Sequence, residues 1–82
     1  MTEFACCPGS RWAAVVDLGS ARSFDFILGS CGGCGRYWMN VWSPVALTPR
    51  YLSVPDDVAE RLSAMPAGAA RKQALAAWFD DR

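Results

Sequence analysis

A chain of 82 residues with no histidine, and with eight basic residues balanced by eight acidic ones, excludes every mechanism that needs an imidazole. That removes Ser/His and Cys/His nucleophiles and histidine–metal sites together. Zero net charge also takes away the positive excess that supports nucleic-acid affinity and attraction to anionic membranes.

The length fits one domain over residues 1–82, near the size at which a core alone barely holds a fold. Such chains commonly rely on a disulfide, a metal or a partner subunit. Composition shifts along the chain. Residues 1–43 are rich in cysteine, glycine, aromatic and β-branched residues, 44–52 read as a proline-containing linker, and 53–82 carry alanine, leucine and helix signals. A sheet half followed by a helical half predicts an α+β domain.

"RWAAVVDL" (Arg11 to Leu18) is the first predicted strand, centred on Val15 and Val16. "GSARS" (Gly19 to Ser23) is a turn-rich connection of hairpin length. "FDFILG" alternates, with Phe24, Phe26 and Leu28 on the face expected to enter the core. After a turn holding Cys31 and Cys34 comes "RYWMNVW" (Arg36 to Trp42). Trp38, Asn40 and Trp42 share one face of it, and Tyr37, Met39 and Val41 the other. Bulk on both faces predicts a strand covered on both sides or central in its sheet. The connections are too short for parallel crossovers, so the expectation is a three-stranded antiparallel meander.

"SPVALTPR" (Ser43 to Arg50) crosses to two short α-helices. Ser53 is read as the N-cap of the first, with Pro55, Asp56 and Asp57 in its first turn, where the helix dipole favours acids. Val58, Leu62 and Met65 form its apolar stripe. Pro66 and Gly68 end it. "AARKQALAAWFDD" supplies the second helix, supported by its alanines, with Ala74 or Leu75, Trp78 and Phe79 towards the sheet.

Cys31-Gly-Gly-Cys34-Gly35 is the strongest chemical signal. Two thiols separated by two residues on a glycine-rich turn can aim both sulfurs at one ion. A structural zinc takes four protein ligands, and Cys6 and Cys7 are the remaining cysteines. Adjacent residues in an extended segment point opposite ways, so using both requires a bend, which Pro8-Gly9 can supply.

"CGGCG" between a strand and an aromatic strand resembles the second knuckle of zinc-ribbon and rubredoxin-like domains, over about the first half of the chain. The likeness implies one structural Zn2+ held by Cys31 and Cys34 with Cys6 and Cys7. "ACCPG" departs from the usual knuckle spacing. That leaves a four-cysteine site, a three-cysteine site completed by water, Asp or another chain, and a metal-free cluster of buried thiols as alternatives. A single iron or an iron–sulfur cluster suits the same ligands. A redox CxxC is a weaker reading, because the pair lies between strands and not at a helix N-terminus, where thiol pKa values fall.

No catalytic constellation accompanies the cysteines. Asp56 and Asp57 are explained as first-turn acids, and Asp17 and Asp25 as solvated residues flanking a hairpin. Gly29 to Gly35 lacks the lysine and helix of a phosphate loop. The sequence therefore predicts a non-enzymatic, zinc-stabilised module that docks on a larger protein as adaptor, accessory subunit or inhibitor. Arg36, Tyr37, Trp38 and Trp42 are the expected contact residues, since Arg, Tyr and Trp are favoured interface anchors; pairing of that face in a homodimer is a further option. A nucleic-acid-associated ribbon, stacking bases on the same aromatics, and a small thiol-redox or iron electron-transfer protein are the alternatives. No stretch reads as a secretory signal or approaches the roughly 20 apolar residues of a membrane span. The expected compartment is the cytoplasm, where clustered cysteines more often bind metal than pair.

Overall fold

The computed structural model describes residues 6–43, 45 and 49–81. Within them run β1 (Trp12–Ala21), β2 (Phe24–Cys31), β3 (Tyr37–Trp42), β4 (Arg50–Ser53), α1 (Asp56–Ala64) and α2 (Ala69–Asp80). The four strands form one antiparallel sheet in the order β1-β2-β3-β4.

The fold is α+β as expected, but the sheet has four strands where three were predicted. The missed strand occupies Arg50–Ser53, inside and just beyond the stretch read as a linker. Its four residues are too few to show a period. What holds it is backbone pairing with β3, from Trp38 opposite Ser53 to Val41 opposite Arg50. Val54 prolongs the contact by donating its N–H to the Tyr37 carbonyl at 3.1 Å. Of the predicted linker, Pro44 and residues 46–48 lie outside the described residues. Ser53, expected to cap α1, is instead the last residue of β4. The cap position falls to Pro55, with extended ψ of 147° and no side-chain cap bond; Asp56 and Asp57 answer the helix dipole from the first turn.

The first hairpin also runs further than predicted. Gly19 and Ser20 read as turn residues but continue β1, and the reversal falls on Arg22 and Ser23. Both have positive φ, 54° and 67°, the pattern of the tight hairpin turns whose twist matches the strands. β1 slips register against β2 twice, between Ala14 and Val16 and between Asp17 and Gly19. Each slip is a bulge that re-aims the strand and blunts a long exposed edge against stray pairing.

Both helices pack on one face of the sheet. Phe26 faces Val41 and Leu28 faces Met39 across β2 and β3, and all four are buried with Leu18, Val54, Ala59, Leu62, Leu75 and Trp78. Phe24, Val58, Met65, Ala74 and Phe79 pack against this core from its margin. Phe79 lies 5.2 Å from both Phe24 and Phe26, centroid to centroid. Beside this cluster Arg22 bridges to Asp80 at 2.6 Å. Among the described residues, no helix is long and apolar enough to cross a membrane.

The second face carries no helix. Asp25 faces Trp42, Ile27 faces Asn40 and Gly29 faces Trp38 on it, with Tyr51 beside Asn40. Gly29 is required here, because a Cβ at that position would lie 2.2 Å from the Trp12 ring that covers it. Trp12 donates its indole N–H to the Trp38 carbonyl at 3.0 Å and meets Tyr51 edge-on, centroids 5.7 Å apart. These contacts tie the start of β1 across the sheet and set the floor for the cysteine end.

Candidate metal centre

Two short turns bring the cysteines together. In the first, Ser10 donates its backbone N–H to the Cys7 carbonyl at 3.0 Å, closing a turn over Pro8 and Gly9. Gly9 has φ of 74°, the Pro-Gly pattern of a type II turn. This is the bend that lets neighbouring Cys6 and Cys7 serve one site. In the second turn, Gly35 donates to the Cys31 carbonyl and Cys31 to the Arg36 carbonyl, both at 2.8 Å, while Gly32 donates to the Arg11 carbonyl at 2.9 Å. The two turns press against each other at Gly33. A Cβ there would stand 3.1 Å from the Cys7 Cβ and 3.2 Å from the Ser10 Cβ, so the close approach favours glycine.

The result is a cluster of the four sulfurs of Cys6, Cys7, Cys31 and Cys34, all within 4.8 Å of one another. Cys6 and Cys34 are 3.6 Å apart and Cys6 and Cys7 4.0 Å. A disulfide needs sulfurs near 2 Å, and all four cysteines are free. A regular tetrahedron with zinc–sulfur bonds of about 2.3 Å has edges of about 3.8 Å. The Cys6–Cys34 and Cys6–Cys7 separations, two of the six, bracket that value. Cys31 is buried, Cys6 and Cys7 are half-buried, and Cys34 is exposed. The arrangement fits a thiophilic cation, in the manner of a zinc-ribbon-like knuckle.

Protonation follows from crowding. The Cys31 thiol is pulled down to about 6, chiefly by the Ser10 hydroxyl and further by the amides of Cys34 and Gly33, against the opposing effect of burial. The Cys7 thiol is pushed up to about 12 by its sulfur neighbours Cys34 and Cys31 and by burial. Burial, then Cys34, raises the Cys6 thiol, while the Trp38 indole N–H works the other way. Like charges this close resist sharing a site. Four thiolates become affordable only when a cation sits among them, and binding it expels the remaining protons.

Ser10 and Trp38 are the parts that sequence reasoning missed or placed differently. The Ser10 hydroxyl lies 2.7 Å from the Cys7 carbonyl and 3.2 Å from the Cys31 sulfur, and its one proton turns to the sulfur when Cys31 is a thiolate. Gly33 adds an N–H to the same sulfur at 3.3 Å. The available signal was a serine closing a Pro-Gly turn directly after two cysteines. Of the four predicted contact residues, Trp38 and Trp42 share the helix-free face, Trp38 with its indole against Cys6 and Trp42 exposed at 41%. Tyr37 packs against the core on the other face, and Arg36 is exposed beside the Cys31–Cys34 turn. The four do not converge on one patch.

Comparison of the chain with protein families, with curated proteins and with solved structures gives no match.

Proposed function

We propose that this chain is a small, non-enzymatic binding module whose cysteine end is stapled by one Zn2+ held by Cys6, Cys7, Cys31 and Cys34, and whose helix-free sheet face docks on a protein partner. The observation that carries the metal reading is the convergence of four sulfurs from two turns, drawn from sequence positions far apart, to within 4.8 Å. Free thiols that merely fill a core have no reason to meet, and three of these four are not fully buried. The docking reading rests on Trp42 and Val15, exposed at 41% and 55% on strands of the sheet. A second reading keeps the site and changes the ion. The N–H donors on Cys31 and the Trp38 indole beside Cys6 are of the kind that tune a sulfur-ligated iron, which would make the chain a small electron carrier.

Native mass spectrometry of untagged protein, with thiol counting after denaturation, tests the metal. One zinc and four thiols per chain are expected. One iron with a visible absorption band would move the assignment to the second reading, and no metal with oxidised cysteines would overturn both. In a Cys31→Ala/Cys34→Ala variant the metal is lost and the melting temperature falls, because metal binding in so small a domain is folding energy. An unchanged melting temperature would sink the structural role.

A further inference from the structure

The helix-free face has a polarity that the composition conceals. The chain as a whole is neutral. Yet the end of this face away from the cysteines carries Asp17, opposite Ile27, and Asp25, opposite Trp42, and no lysine or arginine lines the cleft between them; Arg36, opposite Cys31, stands at the other end. Arg50, the cation of β4, stands opposite Val41 and so belongs to the helix-covered side. Arg22 is committed to Asp80. Asp17 and Asp25 are exposed, and among the described residues neither has an ion-pair partner. Asp17 spends one oxygen on the Gly19 N–H at 2.9 Å and keeps the other free. With Ser20, Ile27, Asn40 and Trp42 they line a shallow cleft of about 470 Å³. An indole face, an apolar floor, an amide and two unpaired carboxylates meet in that cleft.

We propose that this cleft receives an arginine side chain of a protein partner, flanked by apolar residues that cover Ile27 and Trp42. The inference rests on the docking reading above and names its chemistry. A guanidinium stacks on an indole through cation–π attraction and offers a planar fork of donors that a carboxylate accepts in pairs. Asp25 and Trp42 are direct cross-strand neighbours, so one group reaches both. Charge also sorts the occupants. A second copy laid face to face brings acids against acids, and a nucleic acid brings phosphates towards the same two carboxylates, each of which costs binding. An arginine-bearing segment gains from both features.

The test is an amide and indole NMR titration of the full, metal-loaded chain with Ac-Leu-Arg-Leu-NH2. Two matched probes replace the arginine by neutral citrulline and by glutamate. Expected are shifts at Asp25, Ile27, Asn40 and the Trp42 indole, with the arginine peptide binding more tightly than the citrulline one. Asp25→Asn should weaken it about fivefold, as one exposed charge pair warrants, and added salt should weaken it further. Equal binding of the arginine and citrulline peptides overturns the cation proposal and leaves docking intact. Preference for the glutamate peptide, or shifts of the same resonances with a thymidine dodecamer, also overturns it. Shifts that appear on concentrating the protein alone assign the face to a second copy. Silence towards all probes and all concentrations overturns the docking reading itself.

Discussion

Under the helices, Phe26, Leu28, Met39, Leu62 and Leu75 are wholly removed from solvent, whereas at the cysteine end only Cys31 reaches that depth. The helix-covered face is held by apolar burial spread over many side chains. Each contributes roughly 1.5–3 kcal/mol, and none has to meet a particular angle. The cysteine end rests on two turns, a handful of N–H and O–H donors, and a charge balance that a cation must complete. The contrast teaches where tolerance lies. A core absorbs conservative change by repacking. A site built from four sulfur atoms and a glycine contact has no spare members.

Four changes probe that contrast, from the largest effect downwards. Phe26→Ala empties the centre of the core and should cost about 3–5 kcal/mol. Against a total of about 4–12 kcal/mol for a chain of this length, denaturant titration should show a large part of the population unfolded. If Phe26→Ala were mild, the covered face would not be what holds the sheet.

Gly33→Ala pushes a methyl group into Cys7 and Ser10. A cost of about 1–2 kcal/mol is expected, together with weaker metal binding in a chelator competition. Unchanged metal affinity would show that the two turns need not touch to form the site.

The third change is in pH, read as the melting temperature of metal-free protein. Between about 6 and 9 the folded chain holds Cys31 as thiolate, while the unfolded thiol still binds its proton. Stability should therefore rise with pH across that window, and be lost as pH falls through 6. Above 9 the unfolded Cys7 ionises while the folded one keeps its proton until about 12, so stability should fall again. Ser10→Ala removes the main cause of the Cys31 shift and should flatten the rise. A second-sphere loss of this kind typically also lowers metal affinity by about 10–100-fold.

The smallest effect is expected at the Arg22–Asp80 bridge. Its side chains are 57% and 48% exposed, and exposed pairs contribute between nothing and about 1 kcal/mol. Asp80→Asn should lower the melting temperature by between nothing and about 5 °C. A larger drop would mean that the hairpin turn, not Phe79, fastens α2 to the sheet.

Much of the covered face was legible in the chain. The alternation of Phe24, Phe26 and Leu28 located the core side of β2. Both helices fall close to where their composition places them, with Leu75, Trp78 and Phe79 turned to the sheet. These readings succeed because side-chain period is a local property of the backbone. β4 escaped because four residues hold no period and its partner lies across a connection. The end of β1 escaped because Gly19 and Ser20 read as turn residues, while the actual reversal uses two non-glycine residues at positive φ.

The sequence by itself determined the α+β order of elements, many of the core residues and the Cys31/Cys34 pair as the strongest candidate ligands. Those follow from patterning and from residue chemistry that no fold can alter. Only the tertiary structure decided that Cys6 and Cys7 join Cys31 and Cys34 in one cluster, and that Ser10 and Trp38 attend their sulfurs. Each depends on which segments the sheet register and the Pro8-Gly9 turn bring face to face, and distance in space between remote residues is not written in their neighbours along the chain.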